Sequence, residues 1–487
     1  MKLKELISLC EPYRVHPKNP PEVEVNQLHL DSRNVQQGDV YIALKGTKVD
    51  GHEFAHGAAR KGASVVIVSR LMESMEDTVQ IVVKDTRAIA SKLFQAFAGF
   101  PSANMTVIGI TGTNGKTTVS TLIYQALTHL NIPTTLIGTI DTIIGDQKYE
   151  SRLTTPGPDE LADIFKKSKD AGITHVVMEV SSHALQQRRT DGISFDIAAF
   201  TNLSHDHLDY HRDAGEYKKA KRRLFDRLDA NAYAVVNTDD EAAREMIGFT
   251  QANVIFAGFN GEVTELIKMD STGIGFRCHG VEIYSPLIGR FNASNVLIAT
   301  AVLNAAGWQP EKIAKIMPHC FGAAGRLEHV GQGSPVILVD YAHSPDALEN
   351  VLQALADVKT KNEELIVVFG CGGDRDTTKR PKMGQIADYY ANRLYITSDN
   401  PRTEDPQAII DEIIKGLSSS SQYIVEPDRR KAIAQAIKDA PDNSIILIAG
   451  KGHETYQEVD GVRHHLDDRE EARKAIKQRT RNGKEVC

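Results

Sequence analysis

At 487 residues the chain is too long for one hydrophobic core, and a division into two to four domains is expected. Hydrophobic residues make up 41% and charged ones 25%, and 57 basic against 64 acidic side chains leave a net charge of -7. No overall field therefore favours nucleic acid or an anionic membrane, and anionic ligands must be met locally. No apolar run approaches the roughly 18 residues of a membrane helix. The stretch MKLKELISLCEPYRV reads as a short amphipathic helix without a signal peptide's apolar core, so a cytoplasmic protein with no membrane partner is expected. Cys10, Cys278, Cys320, Cys371 and Cys487 are odd in number and scattered without metal spacing, which suits reduced structural thiols.

In chain order, Val25–Arg33, Val40–Leu44, Val65–Arg70 and Val79–Asp85 read as strands, with helices near Phe54–Lys61 and Thr86–Phe100. They form a small α/β unit, residues 1–101. Asp31-Ser32-Arg33 and Lys45-Gly46 end strands with groups that suit a phosphate or sugar, although each is also an ordinary turn. Phe100-Pro101-Ser102 reads as the linker to a second domain, residues 102–326.

That domain opens with MTVIGITGTNGKTTVSTLIY, Met105 to Tyr124: a β-branched strand, a glycine-rich turn, and a helix starting at Lys116-Thr117-Thr118. Backbone N–H groups around Gly112, Thr113, Asn114 and Gly115 can converge on phosphate oxygens, while Lys116 adds a full positive charge. Thr117 is then placed to hold Mg²⁺ through its hydroxyl. The turn is a compact phosphate loop, since the position five before the Gly-Lys pair is Ile110. Strands at Thr134–Thr139, Thr174–Val180, Phe195–Leu203, Ala232–Thr238 and Asn253–Gly258 alternate with helices from Asp159 and over Tyr217–Leu228. Such alternation predicts a mostly parallel, doubly wound sheet with ligands at strand carboxyl ends.

Three of those ends carry unusual chemistry. Thr154 and Thr155 precede a proline-stiffened turn. Glu179 closes an otherwise apolar strand, where burial without a partner would be costly and a bound Mg²⁺ would resolve the cost. The stretch Thr201 to His211 packs three His and two Asp into one loop, which taken alone is equally a solvated polar loop. A β-hairpin region, Val263 to Leu287, precedes Gly289–Asn295 at the head of a long apolar helix.

The last domain, residues 327–487, repeats the alternation as a Rossmann-like unit. Its strands are Val336–His343, Glu364–Gly373, Arg393–Asp399, Tyr423–Pro427 and Ser444–Gly452, with helices from Pro345, Lys379, Pro406 and Asp428. Four charged or glycine-rich loops end these strands, at Asp340–Pro345, Gly372–Asp376, Ser398–Arg402 and Gly450–Glu454, and together they mark a binding face. Cys371, within one of these glycine-rich turns, reads as structural.

Eight motifs in this order, G-T-N-G-K-T, T-T-P, M-E-V-S-S-H, N-L-S-H-D-H-L-D, D-Y-A-H-S-P, G-D-R-D, D-N-P-R and G-K-G-H-E, closely resemble the Mur ligase family of peptidoglycan synthesis. The resemblance covers nearly the whole chain. It implies a three-domain, ATP-dependent amide ligase that adds meso-2,6-diaminopimelate to the D-Glu γ-carboxylate of UDP-N-acetylmuramoyl-L-Ala-D-Glu through an acyl phosphate. By the same resemblance the nucleotide is held by Gly112 to Thr118, Asn295, Arg326, Asp340 and His343. Mg²⁺ falls to Thr117, Glu179, His207 and Lys221, the last as a carbamate formed with CO₂, and Lys116, Glu179, His207 and Lys221 are the catalytic set. From the residues alone Lys221 reads as one more solvated helix lysine.

The resemblance further assigns Ser32, Thr154, Thr155, Ser181, Gln187 and Arg189 to the UDP-substrate. Arg375, Asp399, Asn400, Pro401, Arg402, Gly450 and Glu454 fall to the amino acid. A forked Arg402 suits the far carboxylate of diaminopimelate. L-lysine lacks that carboxylate and is the alternative substrate within the family. A folylpolyglutamate-type ligase, which shares the loop and the acyl-phosphate logic, is the alternative outside it, and the hundred residues before Asn104 argue against it. A nucleotide-dependent switch is a third class, disfavoured by the polar carboxyl-terminal loops. A monomer without nucleic-acid partners is expected.

Overall fold

The computed structural model describes residues 1–46, 49–75, 78–204, 213–260, 264–331 and 333–484. They divide into two compact units, Met1–Ala257 and Gly258–Cys487. No helix among the described residues is long and apolar enough to cross a membrane.

The first unit holds two sheets. The smaller has strand order Arg14–His16, Val79–Val82, Val65–Val68, Val40–Ile42, Leu28–His29, antiparallel only at the first pair. Strands Val65–Val68 and Val79–Val82 are buried at every position, which is why the first reads as an unbroken β-branched run and the second is interrupted only by Gln80, whose side chain bonds Met72 N and O. Helices Leu3–Cys10 and Thr86–Phe97 cover one face through Leu6, Cys10, Leu93 and Phe94. Helix Ala55–Arg60 covers the other, against Tyr41, Val66 and Val68.

The larger sheet has eight strands in the order Asn253–Ala257, Tyr233–Asn237, Ile197–Phe200, Thr106–Thr111, His175–Glu179, Thr134–Ile137, Asp141–Ile144, Gln147–Glu150. The first six are parallel. From the central strand Thr106–Thr111 the chain builds to one side and then crosses to the other at Ile197–Phe200. That reversal opens a crevice at the strand carboxyl ends, where the phosphate loop lies. Gly109 admits the Phe195 ring beneath this point, since a Cβ there would meet its Cε1 at 2.7 Å. The last two strands are antiparallel within this mostly parallel sheet and form a hairpin around Gly145-Asp146, with Gly145 at φ +57°. A two-residue turn with glycine first is a hairpin signal, and it was legible in DTIIGDQKYE although the second strand is polar and exposed.

The second unit opens with an antiparallel meander, Thr264–Asp270, Gly273–Cys278 and Val281–Ser285, which extends the expected hairpin by one strand. The apolar helix Arg290–Ala305 follows. A six-stranded sheet has the order Glu328–His329, Val336–Asp340, Ser444–Ala449, Glu364–Phe369, Arg393–Ile396, Tyr423–Val425, parallel except at the first pair. Helices Pro345–Val358, Lys379–Tyr390 and Pro406–Ile414 seal one face, and Arg429–Asp439 with Asp468–Lys484 seal the other. A further hairpin, Tyr456–Val459 with Val462–His465, turns at Asp460-Gly461, both at positive φ. Among the described residues Cys10, Cys278, Cys320 and Cys371 are free thiols. Burial pushes the Cys371 thiol up to about 12, so its structural reading holds.

Candidate functional site

In the first unit, Gly115 ends the loop at φ +83° and leaves the fourteen-residue helix Lys116–His129 with no side-chain cap. The N–H groups that open this helix and the helix dipole suit an anion at this end. Gly112 allows the loop to lie against the next strand: a Cβ there would stand 1.8 Å from Thr201 Oγ1. The loop is latched from the Thr201–Ser204 segment. Thr113 N donates to Asn202 O at 2.8 Å, Asn114 N to Asn202 Oδ1 at 2.9 Å, and Ser204 N to Thr113 Oγ1 at 3.0 Å. Lys116 Nζ donates to the carbonyls of Gly112 and Thr113 at 3.0 and 2.8 Å.

Glu179 is wholly buried, as its apolar strand implied, but its burial cost is met differently from the expectation. Thr117 Oγ1 donates to Oε2 at 3.0 Å, Thr139 N donates to Oε1 at 2.8 Å, and the Thr139 hydroxyl lies 3.0 Å from Oε2. Protein donors therefore satisfy the carboxylate. A carboxylate and two hydroxyls form a hard-oxygen donor set, which is the chemistry that suits Mg²⁺ beside phosphate oxygens. Thr139 was not singled out in the sequence, because its partner lies forty residues away on a neighbouring strand.

Lys221 corrects the solvated-lysine reading. It is 1% exposed, its Nζ donates to Gly112 O at 2.6 Å, and it sits 4.4 Å over the Tyr217 ring. Tyr217 in turn hydrogen-bonds the Thr113 hydroxyl at 3.0 Å. The signal was present: Tyr217, Ala220, Leu224, Phe225 and Leu228 are buried at helical spacing, and Lys221 falls inside that stripe. His207 lies outside the described residues, as does the rest of its loop from 205 to 212.

A second network adjoins Glu179. The Thr155 hydroxyl donates to Glu179 O at 2.9 Å and accepts from Ser181 N at 3.0 Å. Arg189 Nη1 donates to Thr155 O at 2.6 Å, and its Nη2 to Gln187 Oε1 at 2.7 Å. Thr154 joins through a 3.1 Å contact with the Thr139 hydroxyl. Five of the six residues assigned to the UDP-substrate thus meet around the strand that carries Glu179. The sixth, Ser32, belongs to the smaller sheet's turn. There Arg33 N donates to Asp31 Oδ1 at 2.9 Å, and the Arg33 guanidinium lowers the Asp31 carboxyl to about 2.

In the second unit, Asp340 is buried and accepts from Leu327 N and Ala342 N, each at 2.8 Å. Burial pushes its carboxyl upward, opposed by the Arg326 charge. Arg326 stands 5.2 Å over the Tyr341 ring, which is 4.7 Å from the His343 ring and 5.1 Å from that of His453. Asn295 is buried in helix Arg290–Ala305, where its Nδ2 donates to Asn292 Oδ1 at 3.1 Å.

At the other strand ends of that sheet, Asp399, Asn400, Pro401 and Arg402 form a tight loop. Asn400 N donates to Asp399 Oδ1 at 2.6 Å, and Arg402 takes φ +53°. Arg402 Nη1 donates to Gly373 O at 2.7 Å, and its Nε lies 3.7 Å from Glu458 Oε2. The hairpin from Tyr456 clamps the loop through Arg402 N to Glu458 O at 3.1 Å and Asp460 N to Arg402 O at 2.8 Å. Gly450 must be glycine here, since a Cβ would meet Asp399 Oδ2 at 2.5 Å. Glu454 Oε2 accepts from Asn400 Nδ2 at 3.0 Å. Arg375 is exposed on the Gly372–Asp376 loop. The sequence reading missed the hairpin and gave Lys451, within the Gly450–Glu454 loop, no role of its own; its buried Nζ reaches Asn400 and Glu454. The Asp-Gly pair at 460–461 was the available signal for the hairpin.

Family models match in succession along the chain: Mur ligase family, catalytic domain, over residues 24–98; Mur ligase middle domain over 110–303; and Mur ligase, glutamate ligase domain, over 325–452. The chain is 42% identical to the UDP-N-acetylmuramoyl-L-alanyl-D-glutamate–2,6-diaminopimelate ligase of Bacillus cereus, over 99% of this chain and 100% of that protein. Identity to the ligase of the same name from Geobacillus kaustophilus is 40%, over 98% and 100%. A solved structure of a ligase of that name superposes with a TM-score of 0.74 at 34% identity, covering 94% of this chain and 95% of that one. The UDP-N-acetylmuramoylalanyl-D-glutamyl-2,6-diaminopimelate–D-alanyl-D-alanyl ligase of Acinetobacter baumannii shares the fold at 20% identity and a TM-score of 0.56, covering 92% and 95%.

Proposed function

The chain belongs to the Mur ligase family, and from that premise we propose that it joins meso-2,6-diaminopimelate to the D-Glu γ-carboxylate of UDP-N-acetylmuramoyl-L-Ala-D-Glu at the expense of ATP. The observation that carries the reading is buried Glu179. Its side chain takes the Thr117 hydroxyl of the phosphate-loop helix, and its backbone takes the Thr155 hydroxyl of the neighbouring polar network. A group poised between a phosphate site and an acyl-substrate site suits phosphoryl transfer from one to the other.

A carboxylate and an ammonium do not condense at neutral pH, so the γ-carboxylate oxygen first attacks the γ-phosphorus of ATP and ADP leaves. The diaminopimelate amine then attacks the acyl carbon, loses a proton, and expels phosphate from a tetrahedral intermediate. Two anions meet in the first step, and Lys116 with the N–H groups of the helix start neutralises the β- and γ-phosphates. Thr154, Thr155, Ser181, Gln187 and Arg189 orient the acceptor, and Ser32 serves its uridine end. Thr117, Glu179, His207 and Lys221 as its carbamate would hold Mg²⁺, which supplies charge neutralisation to the transferring phosphoryl group. Asn295, Arg326, Asp340 and His343 serve the nucleotide. Arg375, Asp399, Asn400, Pro401, Arg402, Gly450 and Glu454 form the amino-acid pocket.

The reading includes three domains, residues 1–101, 102–326 and 327–487, and a cytoplasmic monomer. With ATP, Mg²⁺ and the UDP-dipeptide, phosphate release is expected with meso-diaminopimelate and not with L-lysine at equal concentration. Release with lysine alone would keep the ligase and discard the pocket assignment. Arg402→Ala should raise the KM for diaminopimelate by roughly 30- to 100-fold with little change in kcat, the signature of a lost carboxylate clamp. A pure kcat defect would remove Arg402 from that role.

A further inference from the structure

Lys451 is wholly buried in the second unit, and its Nζ lies 3.0 Å from Glu454 Oε2 and 3.1 Å from Asn400 Oδ1. Lys451 Nζ also stands 5.4 Å from the Tyr456 ring centroid. Asn400 Oδ1 also accepts from Glu458 N at 2.9 Å, while Asn400 Nδ2 donates to the same Glu454 Oε2 at 3.0 Å. Asn400 Oδ1 is thus spent on protein partners, and two donors converge on one oxygen of Glu454. The other oxygen, Oε1, accepts no hydrogen bond among the described residues, and the Glu454 side chain keeps 17% of its surface exposed. A buried lysine held only for stability would need just its counter-charge. Here it shares that charge with an amide and leaves half of the carboxylate available.

We propose that Lys451 is a positioning residue for amino-acid recognition, pinning Glu454 by Oε2 so that Oε1 receives the distal ammonium of the incoming diamino acid. The proposal rests on the diaminopimelate-ligase reading and deepens it. Its second consequence concerns charge. Glu454 is already paired with one cation, so an ammonium alone gains little there, and an ammonium accompanied by a carboxylate for Arg402 is preferred. Lys451 therefore contributes to the discrimination between diaminopimelate and lysine, as well as to affinity.

The test is a double-mutant cycle on the full-length protein with Lys451→Met, Glu454→Gln and the pair, reading KM and kcat for each substrate. Lys451→Met is expected to raise the KM for diaminopimelate about tenfold, leave kcat and the KM values for ATP and the UDP-dipeptide within about threefold, and narrow the preference over lysine about tenfold. The pair should be no worse than Glu454→Gln alone, because Lys451 acts through that carboxylate. Lys451→Gln, which keeps a donor at the buried position without the charge, gives the same cycle if the methionine variant does not fold. Additive effects, or a loss confined to kcat, would overturn the proposal. A wild-type protein that releases no phosphate with diaminopimelate would instead overturn the parent reading, so the two failures are distinct.

Discussion

Lys116→Ala is expected to lower ATP-dependent turnover by about a thousandfold while the UDP-dipeptide still binds. The magnitude follows from removing one full charge that, in the proposed reaction, would meet the transferring phosphoryl group, where a single well-placed cation is worth roughly 4 kcal/mol of transition-state stabilisation. Binding of the other substrate should survive because the Thr155, Ser181 and Arg189 network closes on itself without Lys116. The loop has independent support, since Asn202 and Ser204 hold Thr113 and Asn114 through bonds that do not involve the lysine side chain. Steady-state phosphate release gives the first quantity and calorimetric titration with the UDP-dipeptide gives the second. Loss of both would reassign Lys116, through its bonds to Gly112 and Thr113, to holding the loop in shape.

The sequence disclosed those parts of the molecule that are written locally. A strand, a Gly-Lys-Thr turn and an amphipathic helix need no distant partner to be recognised, and the helix begins at Lys116 as the pattern implies. Buried parallel strands such as His175–Glu179 and Ser444–Ala449 announce themselves as apolar runs rich in β-branched residues, so the alternation that organises both large sheets was visible. Pairings between residues far apart in the chain were not. Nothing near Thr139 points to Glu179, and nothing near Lys451 points to Asn400, fifty-one residues away. Those bonds follow from strand order, which local pattern does not encode. The two missed hairpins belong to a different category, because Gly145-Asp146 and Asp460-Gly461 carried the turn chemistry in plain sight.

Lys221→Met should lower kcat by two to three orders of magnitude and leave the affinity for the UDP-dipeptide unchanged. The helix Ala214–Asp226 is dense in cations, so only its packing separates Lys221 from Lys218 and Lys219. Lys218 is spent on Glu245 through two 2.8 Å contacts, whereas Lys221 is buried against the carbonyl of Gly112, inside the phosphate loop. An ammonium fixed there would add a second cation beside Lys116. A carbamate at Nζ inverts the charge and retains one N–H, so the bond to Gly112 O is compatible with the modified side chain. The two forms make opposite predictions. If Lys221 works as an ammonium, Lys221→Arg retains much of the activity and removal of dissolved CO₂ has no effect. If it works as a carbamate, Lys221→Arg is as impaired as Lys221→Met, activity falls in CO₂-free buffer, and protein incubated with ¹³C-bicarbonate shows a carbonyl resonance that Lys221→Met lacks. We expect the second set of results, because a Mg²⁺ ion held by Glu179 and Thr117 would gain more from a second anionic oxygen donor than from a nearby cation.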